Sequence, residues 1–420
     1  MSDQKPDTEK KRLWILNHYA ATKSQAGGSR HLDLALALEK YDWTSEIFAC
    51  SYDHVSRAYT VNTSWFRPVV TRNENGVVFH WIHSVPYLDN SWRRYVNMMI
   101  FSMILLIYCL FMRPRPQAVF GSSAHLLTPL VGWMVARRYR AKCIVEVRDL
   151  WPDSLIQLGL ESRLVVTILR WLEKFLYRHS DILVGISQGI VDGIVRNGGD
   201  PEKTILISHG IEPNPTRKEV IAHRSALRRE LGWGIEFVVL WAGSLEPFNA
   251  LDTVIEAAKQ LTDRPVKVVL LGGGSDSTRL KELAQDVPNL AIYPAVPRER
   301  AFEWMVAADA GILVAKPFEA FTGARPRKIF DYMAAALPIL CFVPGEASEV
   351  IREAEAGLVN DWANSTNISD AIEWGLSHRN ELRKMGLNGA SAVETTYSIS
   401  EAAGIFESVL TNGPSNDPKV

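Results

Sequence analysis

"RLWILNHYAATKSQAGGSRHLDLALALEK", Arg12 to Lys40, decides the fold. It opens on a β-rich apolar run behind a polar tail. It closes on apolar residues at Leu32, Leu34, Ala35 and Leu38, the spacing of one helix face. Gly27 and Gly28 lie between them. Strand, glycine loop and helix in that order begin a βαβ unit.

The pattern recurs along the chain. "TSEIFAC", "VVFHWIH", "QAVFGSS", "AKCIVEV", "DILVGIS" and "KTILISHG" read as strands up to about residue 210. "FVVLWAGS", "VKVVLLGGGS", "LAIYPAV", "AGILVAK" and "LPILCFV" follow beyond it, with helical patterns such as "LDTVIEAAKQL" between them. Nearly unbroken apolar strands alternating with helices imply parallel sheets covered on both faces. The expected architecture is α/β, with two Rossmann-like domains facing a cleft. The expected boundaries are 1–210 for the first domain, 211–230 for a polar, proline-containing linker, 231–395 for the second domain and 396–420 for a final helix and tail.

Composition excludes several classes. The formal net charge of -1 gives no electrostatic footprint for nucleic acid. The four cysteines, Cys50, Cys109, Cys143 and Cys341, are far apart and form no CxxC, so neither a zinc site nor a disulfide framework is implied. The N-terminal residues carry no apolar signal core, and a reducing cytosol is the expected compartment. No GxxxxGK[ST] occurs, which argues against an ATPase.

One segment sets soluble and membrane readings against each other. "MMIFSMILLIYCLFM", Met98 to Met112 in an expected helix over 96–112, is flanked by Arg93, Arg94, Arg113 and Arg115. It is shorter than the roughly 20 apolar residues of a bilayer span. A crossing would also put strands of one sheet on opposite sides of the bilayer. Two readings remain: a buried core helix, or a helix dipping into one leaflet with basic and aromatic anchors.

The chemistry concentrates in "ARPRKIFDYMAAALPIL", Ala324 to Leu340. Pro326 suits the first turn of a helix. The free N–H groups there attract an anion, and Arg325, Arg327 and Lys328 add positive charge. Lys328 and Asp331 share a helix face, so a cation for phosphate and a carboxylate for a diol would stand one turn apart. The bland alternative is a solvated basic helix start paired with local acids such as Glu319. Gly27-Gly28 and Gly272-Gly273-Gly274 each follow a strand and could admit a phosphate, although neither completes GxGxxG. Two glycine loops in two halves suit one ligand held between domains. His125, Glu146 and Asp153 follow or end strands. They fit a cleft role, or equally a buried histidine, a structural acid and a cap of "SLIQLG".

This combination resembles the family 4 glycosyltransferases of the two-domain GT-B fold over roughly residues 12 to 410. The specific parts are "SQAGGSRHLDLALAL", "VEVRDLWPDSL", "DILVGISQGI", "RPRKIFDYMAAALPI" and "GEASEVIREAEAGLV". "RDLWPDS" is similar to the bacterial surface-polysaccharide branch that includes N-acetyl-fucosamine transferases. The resemblance implies a retaining glycosyltransferase that takes a nucleotide-sugar donor, expected to be UDP-activated and to carry an N-acetylated deoxyhexosamine. It implies a lipid-linked saccharide acceptor, a peripheral place at the inner membrane face, and no required metal, since no DxD pair sits in a donor-loop setting. By position, Gly27, Gly28, Gly273, Gly274, Val296, Arg325, Arg327, Lys328 and Asp331 would hold the donor. Arg148, Asp149 and Lys328 would serve the chemistry, with His125 and Asp149 at the acceptor. Departures are also visible: Gly323 stands in place of a family glutamate, Ser244 and Asn249 in place of two cations, and His209 in place of an asparagine. The basic cluster, with Lys316, is the expected compensation. A non-catalytic nucleotide-sugar-binding partner, or a GT-B UDP-sugar epimerase, are the alternative readings.

Overall fold

Each apolar run read as a strand is a strand, and helices cover both faces of two sheets. The computed structural model describes residues 10–25, 29–53, 56–87, 92–157, 162–211 and 217–413. The first sheet contains β1 (Lys11–Leu16), β2 (Trp43–Cys50), β3 (Val69–Glu74), β4 (Val77–Ile82), β5 (Ala118–Ser122), β6 (Lys142–Val147), β7 (Ile182–Gly185) and β8 (Thr204–Leu206). Its order is β8-β7-β6-β5-β1-β2-β4-β3, parallel throughout except for β3 against β4. Alternate residues feed opposite faces: Leu13 and Ile15 enter one core cluster, Trp14 and Leu16 the other.

The second sheet contains β9 (Phe237–Ala242), β10 (Val266–Leu271), β11 (Leu290–Tyr293), β12 (Ala310–Val314), β13 (Ile339–Phe342) and β14 (Gly357–Val359). Its order is β11-β10-β9-β12-β13-β14, all parallel. In each sheet the chain reverses direction across one gap, between β1 and β5 and between β9 and β12. Ligands of open parallel sheets bind beyond the carboxyl ends of the strands at such a gap. The loops to inspect are therefore Asn17–Ala20 and Ser123–His125 in the first domain, and Gly243–Leu245 in the second.

The chain between the domains is narrower than the expected linker. Arg224 and Arg228 grip Asp309 of the second domain from both sides, at 2.7 and 2.9 Å, so residues from 224 onward belong to that domain. The last helix, Ile399–Asn412, returns to the first domain. There Ile399, Ala402, Ala403, Phe406, Val409 and Leu410 complete a core cluster with β-strand residues such as Phe120. Ile211 pairs with Ser398 where the two crossings meet.

The hydrophobic helix runs Trp92–Phe111, longer at its start than expected, and links β4 to β5 of one sheet. Its length and mean hydropathy of 1.8 suffice to cross a membrane, but only a third of it is buried. Met98, Phe101, Leu105 and Cys109 face the core, whereas Met99, Met103, Ile107 and Phe111 face outward. The helix thus has two apolar faces, one used by the fold and one not. All four cysteines are buried and unpaired.

Candidate active site in the interdomain cleft

A cavity of about 570 Å³ lies between the domains. Gln25, Ser56 and Thr60 of the first domain face Gly272, Gly273 and the Tyr293–Ala295 loop of the second across it. The volume is that of a small-molecule site. Packing requires the glycines. A Cβ on Gly272 would lie 1.8 Å from the Gly243 carbonyl oxygen, and one on Gly274 would lie 2.2 Å from that of Leu245. Gly273 has open space instead and lines the cavity with its backbone. Ala295 lines the wall, whereas the side chain of the neighbouring Val296, an expected donor residue, packs against the core of the second domain. Gly27 and Gly28 lie outside the described residues, just ahead of the helix Arg30–Leu38.

The basic stretch is not a loose cluster of free cations. Pro326 is the N-cap of the helix Arg327–Ala334, one residue earlier than expected. Arg325 pairs with Glu346. Glu346 also accepts from the backbone N–H of Gln188 at 2.6 Å and of Gly189 at 3.0 Å, capping a first-domain helix from the second domain. Arg327 reaches Asp33 of the first domain at 3.5 Å and Asp331 at 3.6 Å. Arg298 approaches the same two acids at 3.3 and 3.7 Å. Among the described residues, none of these cations pairs with Glu319, the local acid of the alternative reading.

Lys328 differs from its neighbours. Its ammonium lies 2.7 Å from the centre of the Trp241 ring, beside Gly243, with no carboxylate among the described residues in contact. Burial pushes its pKa well below the ordinary lysine value, with Asp331 pulling weakly the other way. A buried cation resting on an aromatic face is available to an incoming anion. Ser244 and Asn249, at the positions of the missing cations, bond each other: the Asn249 amide donates to the Ser244 carbonyl at 2.9 Å. Gly323 packs on Gly189, and Ser187 donates to its carbonyl at 2.7 Å; a Cβ at Gly323 would lie 3.0 Å from the Gly189 Cα, so a side chain there would crowd the contact between the domains.

On the first-domain side, Glu146 is structural. Fully buried, it accepts from Arg30 at 2.8 Å, His31 at 2.8 Å and Ser122 at 2.7 Å. His31 donates through Nε2 and accepts from Asn17 through Nδ1, so its ring is neutral, in keeping with a pKa lowered by burial. His125 is buried as well, 2.9 Å from His18, and its pKa falls to about 3 because a charged ring there would be desolvated. Asp153 does not cap its helix but binds Arg170 at 2.7 Å.

Asp149 is different. Its side chain is open to solvent. Partial desolvation raises its pKa against the opposing pull of Arg148 and Arg94. Arg94, from the start of the hydrophobic helix, reaches Tyr19 at 3.4 Å. Sequence reasoning assigned no role to Asp33, Arg298 or Trp241, and read Arg94 only as a basic flank of the hydrophobic helix. Only the fold brings them to the cleft, and no local motif marks them. Among the buried atoms there without a hydrogen-bond partner are Asp33 Oδ1, Arg327 Nη1, His209 Nδ1 and Trp241 Nε1. Native proteins rarely leave such atoms unpaired. Among the described residues, no group of three His, Cys, Asp or Glu side chains is placed to hold a metal ion.

Comparison with known proteins agrees with this architecture. Residues 27–210 match the glycosyl transferase 4-like domain and residues 224–392 match the glycosyl transferases group 1 domain. A D-inositol 3-phosphate glycosyltransferase of Nocardia farcinica is 26% identical over 68% of this chain and 65% of its own length. The Escherichia coli protein WcaI, named for colanic acid biosynthesis, is 22% identical over 49% of this chain and 52% of its own length. The chain thus spans less than two thirds of the length of these curated relatives. The crystal structure of Anabaena Alr3699/HepE in complex with UDP-glucose superposes with a TM-score of 0.68 at 12% identity, covering 96% of this chain and 99% of that one. With two family domains matched in tandem on two facing parallel sheets, the chain belongs to the family 4 glycosyltransferases of the GT-B fold.

Proposed function

We propose that the protein transfers a sugar from a UDP-activated donor to a lipid-linked saccharide acceptor at the inner face of the membrane, with retention of configuration. The observation that carries this reading is the set of unpartnered polar atoms on Asp33, Arg327 and His209, together with Lys328, whose ammonium lies beside Gly243, itself packed against the cavity-lining Gly272. A diphosphate would bring the acceptor oxygens that Arg327 Nη1 and the Lys328 ammonium lack. The Anabaena protein crystallised with UDP-glucose supports the choice of nucleotide. An N-acetylated deoxyhexosamine and a role in surface polysaccharide rest on the "RDLWPDS" resemblance and on the similarity to WcaI.

In this reading, the bond between the anomeric carbon and the β-phosphate oxygen breaks, and negative charge grows on the leaving diphosphate. Lys328 and the N-terminal amides of the helix Arg327–Ala334 stabilise that charge without reorganising. Asp331 binds the ribose hydroxyls. The acceptor hydroxyl attacks the face that the phosphate vacates and passes its proton to the departing phosphate oxygen, so no metal is required. Asp149 and Arg148 orient the acceptor, and the outward face of the helix Trp92–Phe111 meets the membrane.

The test is a single-turnover assay with UDP-sugars in the presence of a chelator. Release of UDP, faster with lipid-linked acceptor than without, is the expected result. Tight donor binding with no release would indicate the non-catalytic partner instead. Release that depends on added metal would refute the metal-free mechanism.

A further inference from the structure

A second concavity, of about 610 Å³, lies at the other end of the first domain. It is built from the C-terminal half of the helix Arg163–His179 and the end of the helix Gln188–Arg196. Both helices end there, ahead of β7 and β8, so the concavity lies at the amino ends of the strands. The cleft lies at their carboxyl ends.

Two rows of side chains run along the longer helix into this concavity. Arg170, Lys174 and Arg178 recur every fourth residue, and Arg196 approaches from the facing helix. Arg170 is tied to Asp153, but Lys174, Arg178 and Arg196 have neither an ion pair nor a side-chain hydrogen bond among the described residues. Like charges one turn apart repel, so the fold gains nothing from this row. The neighbouring row is Leu164, Ile168, Trp171 and Phe175. Trp171 and Phe175 stack at 5.6 Å, and Phe175 and His179 stack at 4.3 Å. Leu164, Ile168 and Trp171 are 71%, 53% and 64% exposed. The buried face of the helix is a third one, carrying Leu172, Glu173, Leu176 and Tyr177.

An exposed apolar row bearing a tryptophan, flanked by unpaired cations, has the composition of a helix lying in a membrane interface. A soluble phosphate would satisfy the cations and leave the apolar row in water. We infer that the helix Arg163–His179 is a second membrane contact, with Lys174, Arg178 and Arg196 gripping anionic phospholipid phosphates and Leu164, Ile168 and Trp171 entering the acyl boundary. The inference rests on the membrane reading above but adds a site distinct from the helix Trp92–Phe111, and it does not depend on the donor or acceptor.

The test is flotation of the full chain with phosphatidylglycerol-rich vesicles and with pure phosphatidylcholine vesicles. The triple variant Lys174→Ala/Arg178→Ala/Arg196→Ala is expected to bind the anionic vesicles about a hundredfold more weakly, at roughly a decade or a little less per cation. Trp171→Ala is expected to weaken binding to both vesicle types. Unchanged melting temperatures and UDP affinity would show that the variants are folded. If the triple variant binds anionic vesicles like the parent, while Met103→Asp/Ile107→Asp does not, the second site is refuted and the membrane reading survives. If the parent binds neither vesicle type, both fall. Calorimetric binding of inorganic pyrophosphate that the triple variant abolishes, without any change in vesicle binding, would assign the cations to a soluble anion and also overturn the inference.

Discussion

Lys328 rests its ammonium 2.7 Å from the centre of the Trp241 ring, at the carboxyl end of β9, with no carboxylate among the described residues touching it. The other two cations of the stretch are already occupied, Arg325 by Glu346 and Arg327 by Asp33 and Asp331. Lys328 is therefore the cation of the stretch left without an ion pair among the described residues. Lys328→Ala is expected to weaken UDP binding by roughly 1.5–3 kcal/mol, the value of a charge-assisted hydrogen bond. Burial holds the unliganded amine below its ordinary pKa, so its charge is gained as pH falls, and a bound anion raises the pKa again. UDP binding at mildly alkaline pH should accordingly take up protons, visible by calorimetry in buffers of different ionisation enthalpy. Equal proton uptake by parent and Lys328→Ala would exclude the role.

Asp331 is held only loosely, 3.6 and 3.7 Å from Arg327 and Arg298, and is partly open to solvent. Asp331→Asn is expected to keep the fold and to weaken UDP binding by about 1 kcal/mol, a single hydrogen bond. A 2′,3′-dideoxy analogue should bind parent and variant alike. Equal losses for both ligands would mean that the diol is bound elsewhere.

How much of this was legible depended on how local each signal is. The parallel strands were readable because each is a continuous apolar run, and Lys328 because Pro326 marks a helix start. The strand Val69–Glu74 was missed because its residues are half polar, although Asn75-Gly76, with φ of 55° and 95°, is a two-residue hairpin turn that the sequence spells out. Asp33, Arg298 and Trp241 carried no such mark. Asp33 looks like an ordinary first-turn acid, and only the closure of the two domains gives it two arginines. The cation cluster was read as mobile charge for the same reason, since its partners Asp33 and Glu346 are distant in sequence.

Glu346 holds the domains together at one edge of the cleft, through Arg325 on its own side and the Gln188 and Gly189 amides on the other. Glu346→Ala leaves a largely buried guanidinium and two backbone donors without an acceptor. The expected cost is about 3 kcal/mol of stability, read by denaturant titration. Adding Arg325→Met should recover part of it, because the stranded charge is removed. A double variant less stable than the single one would contradict this account.

The helix Trp92–Phe111 permits a face-by-face test. Leu105 is fully buried, so Leu105→Asp is expected to unfold the protein, with loss of the circular dichroism signal. Met103 and Ile107 are 56% exposed each, so Met103→Asp/Ile107→Asp should leave the fold and UDP binding intact. The same pair should move the protein off lipid vesicles and reduce turnover of a lipid-linked acceptor more than that of a short soluble one. A folded variant that still sediments with vesicles would assign the membrane contact elsewhere.

Glu173 makes stability depend on pH. The carboxyl is buried beneath the helix Arg163–His179, and desolvation, with Asp153 adding to it, raises its pKa from 4.5 to about 7 against the contacts with Asn197 and Tyr177. A raised acid pKa means that the folded state prefers the protonated form. The stability this contributes is therefore fully present below the unfolded value of 4.5 and is lost as pH rises through about 7. Glu173→Gln keeps an oxygen for the Asn197 amide but cannot ionise. Its melting temperature is expected to match the parent's near the acid end of that interval and to exceed it above neutral pH. Parallel melting curves across the interval would show that Glu173 ionises in the folded protein without cost, and would remove the carboxyl from any account of the pH dependence.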